Sequence, residues 1–175
     1  VPRAGEQGRV LDEIKAVAHV RPKDRDAQVL LGLTLAQSGW LEEALAAYQR
    51  AAEIAPKDGE VFSSVGSLLL QLRRPGEALA ALEKAASLDP RLTDARLNLA
   101  VALWQLQRLG DAETELRGLL SVDRNNVEAH YLLGEVLAQR GQLREAVAEW
   151  QRALQIDPSH APSQQALQRV RPARP

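Results

Sequence analysis

The chain has 175 residues, 45% hydrophobic by type and 26% charged, with 22 Lys and Arg against 23 Asp and Glu for a net charge of -1. That balance describes a soluble globular protein able to bury a real core. With no dense basic run it offers no electrostatic footprint for a phosphate backbone, so nucleic acid is excluded as a partner. The apolar runs Val29–Ala36 and Leu97–Trp104 fall far short of the roughly 18 residues of a membrane span, and the absence of Cys removes disulfides, thiolate metal sites and thiol nucleophiles together. The compartment, cytoplasm or periplasm, stays open.

A fixed internal period organises everything else. Pro22, Pro56, Pro90 and Pro158 fall on one 34-residue beat, with Arg124 on the missing one. The same count links Gly32, Gly66, Ala100 and Gly134, then Ala44, Ala78, Ala112 and Ala146, then the large residues Tyr48, Leu82, Leu116 and Trp150.

In chain order, residues 1–24 read as the trailing helix of a truncated repeat or an N-terminal cap, because Gly5–Asp24 repeats the register of Gly39–Asp58. Four units follow, 25–58, 59–92, 93–126 and 127–160. Each carries two apolar stripes at helical spacing, such as Leu31 and Leu35, then Leu41, Leu45 and Tyr48, parted by a breaker such as Ser38-Gly39 or Arg140-Gly141. Two antiparallel helices per unit are predicted. The second ends where a proline removes an N–H and clashes with the preceding turn, and acidic residues at both helix starts complement the helix N-termini. Residues 161–175 read as a C-terminal capping helix and tail, with Pro172 and Pro175 ending the ordered chain. Mid-helix Gly costs about 1 kcal/mol relative to Ala, so Gly32, Gly66 and Gly134 predict close helix approach, with the large residues filling the space one turn on. Trp40, Tyr48, Phe62 and Trp150 are assigned to the core.

No G-x-S-x-G, G-x-G-x-x-G, Walker loop or H-E-x-x-H is present. His19, His130 and His160 fall in three unrelated contexts, and the carboxylates recur at helix starts in every unit, which is the pattern of capping. The expectation is a chain without catalytic residues, metal or cofactor.

The 34-residue unit resembles the tetratricopeptide repeat family, with its W-x2-L-G-x2-Y, A-x3-F and P positions. Leu31-Gly32, Val65-Gly66, Leu99-Ala100 and Leu133-Gly134 match the L-G step. Phe62 stands at the Trp slot, from which Gln28, Arg96 and His130 depart, and Leu35, Leu69, Leu103 and Leu137 replace the Tyr. The resemblance implies an all-α, right-handed superhelical solenoid of antiparallel helix pairs, whose first helices line a concave wall that binds partner segments. It places on that wall Val29, Leu33 and Gln37, then Ser63, Ser67 and Gln71, then Leu97, Asn98, Val101, Trp104 and Gln105, then Tyr131, Glu135 and Gln139.

Gln37, Gln71, Gln105 and Gln139 recur in all four units and would form a row of amides, or simply mark solvated helix ends. Trp104 and Tyr131 are the candidate anchors, unless they pack on a neighbouring turn. The wall so counted carries Asp26, Glu60, Asp94, Glu128 and Glu135 but no Lys or Arg, which argues against capture of acidic tails. The expected function is a non-catalytic scaffold or adaptor for a protein or peptide segment with apolar anchors, not acidic. The alternatives are a structural self-association module and the docking array of an enzyme whose catalytic domain lies elsewhere.

Overall fold

The structure, a computed structural model, describes residues 4–170, with side chains from Arg9 onward. The described residues are all-α: α1 (Ala4–Val20), α2 (Arg25–Gln37), α3 (Leu41–Ile54), α4 (Gly59–Gln71), α5 (Pro75–Leu88), α6 (Thr93–Gln105), α7 (Leu109–Val122), α8 (Val127–Gln139), α9 (Leu143–Ile156) and α10 (Ala161–Val170). The tail expected to end the ordered chain at Pro172 and Pro175 lies outside the described residues.

Local chemistry sets the helix boundaries. Asp24 caps α2 by accepting from the N–H groups of Asp26 and Ala27, and Asp58 caps α4 from Glu60 and Val61 in the same way. Asn126 caps α8 through the Ala129 N–H at 2.9 Å. Each satisfies donors that the first helical turn leaves open.

The turn inside each helix pair is equally regular. Gly39, Arg73, Gln107 and Gly141 hold positive φ, at 82°, 60°, 60° and 81°. The residue after each sends its N–H back to a carbonyl of the last turn: Trp40 to Leu35, Arg74 to Leu69, Arg108 to Leu103 and Gln142 to Leu137, at 2.8–2.9 Å. This left-handed closure ends one helix and starts the next in three residues.

The described residues form two compact units that part between Ala95 and Arg96, inside α6. In the first, α1 packs on α2, α2 pairs with α3, α3 packs on α4, and α4 pairs with α5. In the second, α7 packs on α8, α8 pairs with α9, and α10 packs on α9 and α8.

The small residues lie where the helices of a pair meet. A Cβ added at Gly66 would lie 2.3 Å from Leu82 Cγ, one at Gly134 would lie 2.3 Å from Trp150 Nε1, and one at Gly32 would lie 3.0 Å from the Tyr48 ring. Tyr48, Leu82 and Trp150 are buried, as are Ala44, Ala78, Ala112 and Ala146.

Two aromatics assigned to the core by sequence are placed otherwise. Trp40 is 48% exposed, with the Lys15 ammonium 4.9 Å from its ring centroid. It occupies the cap position of α3 on the turn, where the equivalent residues are Arg74, Arg108 and Gln142, outside the seam between paired helices. Phe62 is half-buried, with the Lys84 ammonium 4.0 Å over its ring, in a groove floored by Val65, Leu69, Ala80 and Ala81.

Candidate protein-binding surface

In the first unit the predicted wall residues come from α2 and α4. Val29 is half-buried, Leu33 is 45% exposed, and Gln37 is exposed as the last residue of α2. Leu30, which sequence reasoning did not select, is 49% exposed, so α2 shows solvent two leucines while Leu31 and Leu35 are buried. Its signal was available, since Leu30 falls outside the buried 31/35 stripe. Ser63 and Ser67 are half-buried and Gln71 is the exposed last residue of α4.

The starts of these two helices are tied together. Arg25 donates from Nε to Asp58 Oδ2 at 2.8 Å, and the same Asp58 caps α4. Hydrogen bonding to Asp26, reinforced by Asp58, raises the Arg25 guanidinium above its usual value.

In the second unit the residues of α6 and α8 differ in what they touch. Leu97, Asn98, Val101 and Trp104 are half-buried, while Gln105 and Gln139 are the exposed last residues of α6 and α8. The Trp104 Nε1–H is buried and has no hydrogen-bond acceptor among the described residues. Tyr131 stands edge-on to the His160 ring, centroids 5.5 Å apart, and burial pushes its phenol upward, with Glu135 adding to the effect. Glu135 is ion-paired with Arg169 of α10, and Glu128 meets His160 Nε2 at 3.0 Å. Ser163, fully buried, faces His160 Nδ1 at 2.9 Å.

This geometry corrects the expectation of a wall without a basic residue. Arg169 stands 34 residues after Glu135, hence at the slot of Leu33, Ser67, Val101 and Glu135, and it neutralises the carboxylate that was expected to face a ligand. Counting the period beyond residue 160 would have exposed it. Tyr131, in turn, rests on a neighbouring turn, the packing alternative left open for it.

His130 lies behind this surface, not on it. It is 9% exposed, with Nδ1 2.6 Å from Glu149 Oε2 and Nε2 3.0 Å from the Arg124 carbonyl, so it joins the loop before α8 to α9. Among the described residues no group of three or more His, Asp or Glu side chains is placed to hold a metal ion. No described helix is long and apolar enough to cross a membrane.

Capped helix pairs with a shared Gly-to-large-residue seam and recurrent left-handed turns define a helical-repeat protein. The family model of the cytochrome c-type biogenesis protein H TPR domain matches residues 62–164, more than half of the chain, and a tetratricopeptide repeat model matches residues 11–59. The chain belongs to the tetratricopeptide repeat family. No curated protein matches the sequence significantly.

Among solved structures, YrrB, described as a TPR protein with an unusual peptide-binding site, superposes with a TM-score of 0.82 at 22% identity, covering 94% of this chain and 84% of that one. MamA gives 0.82 at 20% identity over 90% and 92%. MamA 41-end from Desulfovibrio magneticus RS-1 gives 0.81 at 18% identity over 90% and 89%. At these identities the likeness is one of fold.

Proposed function

We propose that this chain is a non-catalytic scaffold or adaptor that holds a segment of a partner protein against the concave wall lined by its first helices, with residues 25–58, 59–92, 93–126 and 127–160 as the repeats. The observation that carries this reading is α2, where Leu30 and Leu33 stand about half exposed beside the exposed Gln37 on a helix whose other face is sealed. Exposed leucines next to an exposed amide side chain suit an extended or helical segment, which supplies apolar side chains and backbone groups together. The YrrB description, a TPR protein with a peptide-binding site, supports the same reading by analogy of fold.

The partner segment carries apolar anchors and is not acidic. Asp26 and Glu60 are exposed at the starts of α2 and α4 and speed the approach of basic segments more than they hold them. Screening an array of short peptides that vary apolar content and charge tests this. Leu33→Asp should lower affinity for the best binders by at least about 2 kcal/mol. A preference for acidic peptides, or affinity unchanged by Leu33→Asp, overturns the proposal.

A further inference from the structure

Counting by 34 residues, Gln28, Phe62, Arg96 and His130 share one slot on the first helices, and Ala47, Ala81, Glu115 and Glu149 share another on the second helices. In two units this slot pair is charged and closed: Arg96 meets Glu115 at 4.0 Å, and His130 Nδ1 lies 2.6 Å from Glu149. In the first unit Gln28 is 1% exposed, its amide 3.5 Å from the Ala18 carbonyl. Phe62 and Ala81 instead set an aromatic ring against a methyl group, and a gap remains. It is a groove of about 650 Å³ between α3 and α5 over α4, in which Phe62 and Ala81 are half-buried and Ala80 is exposed. All three helices lie inside the array, α3 paired with α2, α5 paired with α4 and followed by α6, so the gap comes from side-chain size and not from a missing neighbour.

The rim carries opposite charges on its two walls. On α5 the exposed Lys84 holds its ammonium 4.0 Å over the Phe62 ring, and on α3 Glu53 is exposed. Neither has an ion-pair partner among the described residues, whereas Glu77, the other carboxylate at the rim, already accepts two hydrogen bonds from Arg74 at 2.7 Å. A cation on one wall and a carboxylate on the other, with apolar surface between, complement a segment that carries the reverse charges.

We propose that this groove is a second docking surface, for a segment of a partner protein that presents one large apolar side chain between an acidic and a basic residue. The apolar side chain lies on Phe62 against Ala80 and Ala81, the acidic residue pairs with Lys84 and the basic one with Glu53. Sites for free small molecules enclose most of the ligand, and a groove open along its top suits a side chain held by its own backbone instead. Exposed ion pairs are weak, so the apolar contact supplies the affinity and the two charges select the sequence. The surface belongs to the second helices and is separate from Leu33 and Gln37 on α2.

Three short peptides with one central Phe test this, the first flanked by Glu on one side and Lys on the other, the second by Glu on both sides, the third by Lys on both. Each is titrated into the full chain and followed by NMR. The mixed peptide should bind tightest and move the signals of Ala80, Ala81 and Lys84. Lys84→Glu leaves an acidic rim and should turn the preference to the Lys-flanked peptide, and Glu53→Lys should turn it to the Glu-flanked one, each by about two- to fivefold. Both substitutions are at exposed positions and leave the core intact. Ala81→Glu, which brings in the residue type of Glu115 and Glu149, should weaken the mixed peptide at least about tenfold, while Leu33→Asp should not change its affinity. Ala80 and Ala81 signals unmoved by any peptide up to roughly 5 mM overturn the proposal, as does a preference indifferent to both charge reversals. So do equal affinity for N-acetylphenylalaninamide, which means a small-molecule pocket, and concentration-dependent shifts of Ala80 and Ala81 without peptide, which mean a second copy in the groove. Each of these outcomes leaves binding at Leu33 untouched and separately testable.

Discussion

Trp150 occupies the space that Gly134 leaves open: its indole Nε1 lies 2.3 Å from where a Cβ at 134 would stand, and it donates to the Tyr131 carbonyl at 3.2 Å. The absent side chain thus admits a large ring and gives its only polar atom an acceptor. Gly134→Ala should cost about 1 to 3 kcal/mol by overpacking, more than the roughly 1 kcal/mol of helix propensity gained. Gly66→Ala should behave alike. Gly32→Ala meets the Tyr48 ring only at 3.0 Å and should fall near neutral. Urea midpoints for the three variants check the order, which fails if Gly32→Ala is the worst.

The two non-glycine residues in the left-handed turns predict gains. Arg73 and Gln107, both at φ 60°, carry a backbone cost of roughly 1 to 2 kcal/mol that Gly does not. Against this, Gly increases the conformational freedom lost on folding. Arg73→Gly and Gln107→Gly should each stabilise by up to about 1 kcal/mol, and Gly39→Ala and Gly141→Ala should destabilise by a similar amount. Thermal melts of the four variants decide it; a loss at both Gly substitutions contradicts the argument.

The buried face of α7 predicts a contrast within one helix turn. Ala112 is 0% exposed, so Ala112→Leu should cost about 1 to 3 kcal/mol. Arg108, at the helix cap, makes an exposed pair with Asp111 at 2.7 Å, so Arg108→Ala should cost at most about 1 kcal/mol. Equal denaturation midpoints would contradict the assignment of faces.

Removing residues 161–175 should uncover α8 and α9, against which α10 packs Ser163 and Ala166, both 0% exposed. A loss of 2 kcal/mol or more, roughly 5 °C in a chain of this length, is expected in calorimetry. Arg169→Ala, which removes the pair with Glu135 and a guanidinium 6.0 Å from the Trp150 ring centroid, should cost about 1 to 2 kcal/mol, less than the loss of α10 as a whole.

Asp157 gives a test by pH. It accepts from Ser159 Oγ at 2.7 Å and from the Ser159 N–H at 2.9 Å, and those bonds hold its carboxyl below the usual carboxylate range. A depressed folded-state value means that the stabilisation is complete above the unfolded carboxylate pKa and is lost as pH falls through the lower folded one. Ser159→Ala should move the Asp157 titration, followed by NMR of its side-chain carbon, upward towards the ordinary range. No movement would mean that the hydroxyl does not hold the carboxylate.

Much of this molecule was legible in one dimension. The 34-residue beat located the small residues and the large residues that fill beside them, because a repeated slot demands the same volume and the same backbone each time; it placed acidic residues at the helix starts but did not single out Asp24, Asp58 and Asn126 as the caps. It held information that was not used: Trp40 shares its slot with Arg74, Arg108 and Gln142, and Arg169 shares its slot with Glu135. Residues 34 apart become neighbours only when successive helices stack, so the Arg169–Glu135 pair, and with it the loss of an unopposed acidic wall, needed the tertiary structure. So did the edge-on packing of half-buried Tyr131 against His160 and the exposure of Leu30. The left-handed φ at Arg73 and Gln107 has no local residue signal, since neither is a turn former. The sequence by itself determined which side chains can pack, through their size, polarity and spacing. Whether a given face finds a neighbour was decided by the fold, because burial is a property of two surfaces and each residue specifies only one.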